Sequence, residues 1–257
     1  MWENVHRIKV SIIFILLTAS GFAQKIYILT DLEGISGIYR WKQAQTKDSP
    51  LYNQACEFFM EDLSAVIHGL KDGGATEIIV LDGHGPQCIL PELMEKGVKY
   101  ITGKPKPRPL YGMDESFDGL VQLGAHSMKG TPNGVLNHTQ YREGKYRIYY
   151  NGIESGEIAM ASIMAGYFGV PTVMVTGDMA TCREAHQFLG NEVTTVAVKE
   201  GISEEAAILY PFEETRKALY EGAKQAITSL SKCKTYKIKV PFTVRLEYIN
   251  PQDGEEL

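Results

Sequence analysis

Cysteine is sparse in this chain. Cys56, Cys88, Cys182 and Cys233 are widely scattered and none sits in a C-x-x-C pair, which argues against a thiolate zinc site or a redox dithiol. At 257 residues the chain is long enough to bury a core without disulfide staples, so most of these residues are expected to be buried thiols. Basic excess is also missing. With 26 Lys and Arg against 31 Asp and Glu, the formal charge is −5, which argues against nucleic acid as a partner, because such binding rests on clustered cations. There is no internal repeat and no low-complexity tract. Nor does any stretch supply the roughly 20 apolar residues that a membrane-spanning helix requires.

The longest apolar stretch, residues 10–19, follows Arg7 and Lys9 and leads into Gly21, Phe22 and Ala23. That order of basic, apolar and small residues is the layout of a secretory signal peptide. Residues 1–23 are therefore expected to be removed on export to the periplasm or the exterior, leaving residues 24–257 as one domain without a stable membrane anchor. No cysteine lies near Ala23, so a lipid-anchored precursor is not expected.

What the chain does contain is an alternation of strands and helices. Residues 26–29 (IYIL), 77–81 (EIIVL) and 120–123 (LVQL) are short apolar runs that suit strands buried on both faces. A further strand is expected near residues 99–102, and others over 170–175, 193–198 and 238–246. Residues 51–71 carry Ala55, Phe59, Leu63, Val66 and Leu70 at helical spacing and stop at Gly73 and Gly74, a helix terminator. Helices are also expected over 157–168, 180–189 and 212–230. Asn151 and Gly152 between two β-rich segments predict a hairpin with a type I′ turn. The fold class that follows is α/β, a three-layer α/β/α arrangement on a mixed, mostly parallel sheet.

Three of the strands run into polar residues beside glycine: Asp31 and Glu33 before Gly34, His84 between Gly83 and Gly85, and His126 after Gly124. Ligands of open α/β sheets bind beyond the carboxyl ends of the strands, so these groups converge if their strands are parallel neighbours. Asp31 and Glu33, two apart, would point the same way in an extended segment, and two like charges so placed call for a cation between them. Two carboxylates with two imidazoles make a transition-metal set of the zinc type. Glu157, which opens a helix, is a further candidate ligand. His138 lies in the loop after His126, placed for catalysis. Asp82 is expected to support a histidine from behind, and His68 and His186, within helical patterns, to be structural. Asn137 fits a glycosylation sequon, which is discounted because a glycan would block the site loop.

Residues 30–37 (TDLEGISG), 82–84 (DGH), 123–126 (LGAH), 131–138 (TPNGVLNH), 156–157 (GE), 173–178 (VMVTGD) and 194–199 (TTVAVK) together resemble the zinc-dependent D-aminopeptidases of the DppA type. The order matches over nearly all of residues 24–257. This resemblance implies a two-zinc centre with Asp31, Glu33, His84, His126 and Glu157 as metal ligands, Asp31 bridging, and His138 as the catalytic residue. It also implies small peptides with N-terminal D-amino acids, such as D-Ala peptides, as substrates, and a homo-oligomer. Relative to that family the chain is expected to be short after Tyr248, and its exported location to differ. Two other readings stay open: another metal-dependent amide or phosphoester hydrolase, and an exported metal binder without catalysis.

Overall fold

The structure is a computed structural model that describes residues 24–45, 49–144 and 146–248; the expected signal peptide lies outside the described residues. In chain order the elements are β1 (Gln24–Thr30), α1 (Trp41–Ala44), α2 (Pro50–Gly73), β2 (Ala75–Asp82), β3 (Val98–Ile101), β4 (Gly119–Leu123), β5 (Tyr146–Tyr150), β6 (Ile153–Glu154), α3 (Glu157–Tyr167), β7 (Thr172–Asp178), α4 (Met179–Leu189), β8 (Thr194–Ser203), β9 (Ala206–Leu209), α5 (Phe212–Ser229) and β10 (Val244–Tyr248).

Seven strands form the central sheet in the order β3-β2-β1-β4-β7-β8-β9. All pairs are parallel except β8 with β9. The opening strand is thus in the interior of the sheet, with β2 on one side and β4 on the other, and its apolar run is explained by burial on both faces. Alternation assigns those faces. Ile26 and Ile28 of β1, Ile78 and Val80 of β2, and Val121 and Leu123 of β4 pack into one core with Phe59, Leu63 and Leu70 of α2 and Leu219 and Ala223 of α5. Tyr27, Leu81 and Leu120 point the other way, into a core closed by Ala161 and Ala165 of α3 and by Leu110, Met113 and Phe117. Helices therefore cover both sides of the sheet, giving the three-layer α/β/α class.

Local signals set the ends of the longest helix. Ser49 caps α2 by accepting from the Tyr52 amide at 3.0 Å, Pro50 starts it, and Gly74 closes it at φ 116°, a left-handed conformation that glycine adopts without cost. Asn151 and Gly152 have φ of 51° and 82°, both positive, so the hairpin turn between β5 and β6 is of the expected primed type.

The structure departs from the expected elements in three places. Residues 238–246 do not form a strand of the central sheet: only β10 is extended there, and it pairs antiparallel with β5 in a separate sheet of order β10-β5-β6. Its residues Val244, Leu246 and Tyr248 are exposed, so the apolar residues of this stretch do not enter the core. Two elements go beyond those expected from the sequence: α1 in the segment after β1, and β9, an antiparallel edge strand over Ala206–Leu209. All four cysteines are free thiols, with Cys56, Cys88 and Cys182 buried and Cys233 half-buried. Among the described residues no helix is long and apolar enough to cross a membrane.

Candidate metal centre

The carboxyl ends of β2, β1 and β4 lie side by side, and the backbone between them is stitched tightly. The Asp31 amide donates to the Leu123 carbonyl and the Gly34 amide to the Gly124 carbonyl, each at 2.8 Å, while the Gly83 amide donates to the Thr30 carbonyl at 3.1 Å. Residues 31–34 form a bend and turn rather than an extended segment, so it is this turn, not strand alternation, that brings Asp31 and Glu33 together. Glycine is required at the closest approaches. A Cβ at Gly34 would lie 2.0 Å from the Ala125 carbonyl oxygen, and one at Gly83 2.5 Å from the Thr30 oxygen. Gly34→Ala is expected to destabilise the fold by about 1–3 kcal/mol, as overpacking commonly does, and a thermal unfolding comparison with the unaltered protein would reveal no loss if the strand ends were loosely packed.

All six residues singled out from the sequence meet here. His84 Nδ1 is 2.9 Å from Asp31 Oδ1 and 3.2 Å from Glu33 Oε2. His126 Nε2 is 3.4 Å from both Asp31 Oδ2 and Glu157 Oε1. His138 Nε2 is 4.0 Å from the same Glu157 oxygen. Its ring stacks on that of His126 with centroids 3.8 Å apart and meets the edge of Trp41. Glu33, His84, His126 and His138 are all buried. The donor atoms fall into two groups of three, Asp31 with Glu33 and His84, and His126 with His138 and Glu157, each compact enough for one ion. Asp31 faces the imidazoles of both groups.

Each of the three imidazoles is pinned by one nitrogen to a backbone carbonyl. His84 Nε2 donates to Ala44 at 2.7 Å, His126 Nδ1 to Ser127 at 3.0 Å and His138 Nδ1 to Leu136 at 2.9 Å. A carbonyl can only accept, so the proton position on that nitrogen is dictated, and the opposite nitrogen is turned toward the carboxylates. This is the arrangement that orients metal-ligating histidines.

The charges follow. Burial works to raise the Asp31 carboxyl, yet the neighbouring imidazoles of His126 and His84 hold it well below the usual carboxylate range. Burial likewise opposes charge on the imidazoles, but Glu33 and Asp31 raise His84, and Glu157 and Asp31 raise His126, well above the ordinary histidine value. His138 differs: burial, and then the charge of His126, lower it. Two buried atoms at the centre, Glu33 Oε2 and His126 Nε2, make no hydrogen bond among the described residues, which is costly unless a cation takes them as ligands. Mixed nitrogen and oxygen donors with no thiolate fit zinc.

Asp82 corrects one expectation. Its carboxylate accepts from the Cys88 and Ile89 amides and the Thr102 hydroxyl, holding the loop after β2, and His84 is supported by Ala44 instead. His68 pairs with Glu95 on the surface, and His186 bonds Gly190 and Thr195, both structural as expected. Asn137 bonds the Gly130 amide and the Gly134 carbonyl, which commits its side chain to the loop that carries His138.

Three supporting residues were not singled out. Asp178, closing β7, caps α4 through Thr181 and accepts from the Val135 amide at 2.5 Å, anchoring the His138 loop. Glu184 accepts from the Met128 amide just after His126, and burial pushes its carboxyl up to about 7. Lys199, in the middle of β8 and fully buried, donates to the Glu33 carbonyl at 2.6 Å and the Ile35 carbonyl at 2.8 Å; burial pulls its pKa down to about 8 against the pull of Asp178, Asp62 and Glu33. A polar residue directly after an apolar run, the signal that pointed to Asp31, is present in the sequence for Asp178 and Lys199 too, although β8 continues past Lys199 to Ser203. Lys199→Met should weaken zinc binding by about 10- to 100-fold, the usual cost of losing a support behind a ligand, and a competitive chelator titration showing unchanged affinity would refute that role.

The comparisons with known proteins agree with this geometry. A profile described as D-aminopeptidase matches residues 24–257. The D-aminopeptidase of Bacillus subtilis (strain 168) is 31% identical over 214 residues, covering 82% of this chain and 76% of that protein. Among solved structures, the Zn-dependent D-aminopeptidase DppA from Bacillus subtilis, described as a self-compartmentalizing protease, matches with a TM-score of 0.84 at 29% identity over 88% of this chain and 82% of that one. A profile spanning the whole α/β domain and a relative above 30% identity establish that the chain belongs to the D-aminopeptidase family, and it is a metallo-aminopeptidase of the hydrolase class.

Proposed function

We propose that this chain hydrolyses small peptides at an N-terminal D-amino acid, such as D-Ala peptides, with two zinc ions per subunit. The observation that carries the reading is the set of three imidazoles, each fixed on a carbonyl, turned toward three carboxylates. Asp31, Glu33 and His84 would hold one ion, and His126 and Glu157 the other, with Asp31 shared because its two oxygens face different histidines. Zinc so held supplies a Lewis acid for the scissile carbonyl and lowers the pKa of a water to about 7.

The chain's own contribution to proton transfer is His138. With Nδ1–H spent on Leu136, Nε2 carries the lone pair and faces the site. It takes the proton as water adds to the carbonyl carbon, then gives it to the leaving nitrogen as the C–N bond breaks. Glu157 is braced for its part by the Gln140 amide at 2.7 Å, and the stacked His126 ring together with Trp41 prevents the His138 ring from swinging out. The products are a free D-amino acid and a peptide shorter by one residue.

Export to the periplasm or beyond and assembly as a homo-oligomer belong to the same reading. The first is supported by the signal-like layout of residues 1–23, and the second by the self-compartmentalizing description of the Bacillus protease. A panel of D-Ala-D-Ala, L-Ala-L-Ala and a phosphate monoester separates the alternatives. Turnover of the D-peptide alone is expected; preference for the phosphoester, or stoichiometric zinc without any turnover, would replace this reading by the corresponding rival.

A further inference from the structure

One cavity of about 980 Å³ contains both the metal centre and a basic lip. Asp31, Glu33, His84, His138 and Glu157 line it, and so do Lys104 and Lys106 on the proline-rich loop after β3. Leu29, Leu81, Met160 and Met164 add apolar surface to the same lining. The size is that of a small-molecule site rather than of a groove for a long chain.

The two lysines stand out because the chain as a whole is acidic. Among the described residues neither ammonium makes a hydrogen bond or an ion pair. Lys106 is half-buried, and burial, then the like charge of Lys104, lowers its pKa against the attraction of Asp82. The Asp82 carboxylate is already committed to two amides and a hydroxyl. Arg108, on the same loop, differs in kind: its guanidinium is spent on the Leu110 and Met113 carbonyls and braces the loop. The remaining charges on the cavity wall are Arg142, which lies over the Trp41 ring, and Glu143. Two unpaired cations thus line the same cavity as the metal centre, where the proposed reaction takes place at the substrate's amino end. In a short peptide, the charge opposite the amino terminus is the C-terminal carboxylate.

We propose that Lys104 and Lys106 receive the C-terminal carboxylate of the substrate, so that the enzyme selects short D-peptides with a free acid end. This rests on the aminopeptidase reading above. The contact is made equally in the bound substrate and the transition state, so it acts on KM and leaves kcat unchanged. Charge-assisted contacts of this kind are worth roughly tenfold to a hundredfold.

The test compares D-Ala-D-Ala with its C-terminal amide on the zinc-loaded enzyme. The acid is expected to have a kcat/KM about 10- to 100-fold higher through a lower KM, a preference that shrinks as salt is added. The double variant Lys104→Ala, Lys106→Ala should bring the two peptides level while turnover of the amide stays as it was, and Lys106→Arg should keep the preference. Equal cleavage of acid and amide by the unaltered enzyme, or a preference that survives the double variant, overturns the inference and leaves the aminopeptidase reading standing. Cleavage of neither peptide overturns both.

Discussion

Replacing His138 with alanine is expected to lower kcat on a D-Ala peptide by about 10²- to 10⁴-fold, the range for a positioned proton-transfer group, while the zinc content stays unchanged. The geometry makes this a sharp test, because His138 lies in a group with His126 and Glu157 that is compact enough to hold an ion. If His138 were instead a third ligand of that ion, the variant would lose one equivalent of zinc along with its activity. Its Nε2 is 4.0 Å from Glu157, whereas His126 Nε2 is 3.4 Å from both Glu157 and Asp31, which places His126 at the centre and His138 at the side. The pH profile bears on the same role. A base must be neutral to take a proton, and burial with His126 beside it lowers the pKa of His138. The acid limb of kcat should therefore lie below the ordinary imidazole value of about 6.5, activity falling as pH drops through it. An acid limb above that value would assign the limb to another group.

Asp31→Asn should be the most damaging change of a ligand. The substitution keeps the shape of the side chain and removes the charge that faces both His84 and His126. Either way the amide is turned, one imidazole faces its NH2 group in place of an oxygen. Both ions share this ligand in the proposed centre, so zinc affinity should fall at both positions. Lewis-acid assistance is worth several kcal/mol, and each 1.36 kcal/mol is tenfold in rate, so activity should drop by roughly 10³-fold or more. Glu33→Gln, by contrast, touches one group only and should leave the other ion in place. Zinc measured after gel filtration distinguishes them, and an Asp31→Asn protein that kept its full complement would remove Asp31 from the bridging position.

Much of this was readable in the residues themselves. The apolar runs over residues 26–29, 77–81 and 120–123 named three strands, and polar residues beside glycine at their ends named four of the six site residues, with His138 in the loop that follows. Parallel neighbourhood of β2, β1 and β4 is what turned that pattern into a cluster. Glu157 could be suspected only from its position at the start of a helix. Sequence reasoning failed where partners are distant. Ala44 supports His84 from a helix of four residues, too short for periodicity to reveal. Lys199 reaches the Glu33 loop from a strand 166 residues away, and no local signal says which loop a buried lysine will hold. Residues 238–246 misled because β propensity reports a pleated surface, not which sheet it joins.

The most direct measurement is a zinc titration of chelator-stripped protein with D-Ala-D-Ala turnover followed at each addition. Activity that is absent at the start and rises to a plateau at two equivalents per subunit is the predicted result. Full turnover in stripped protein, or none at saturating zinc, would contradict it.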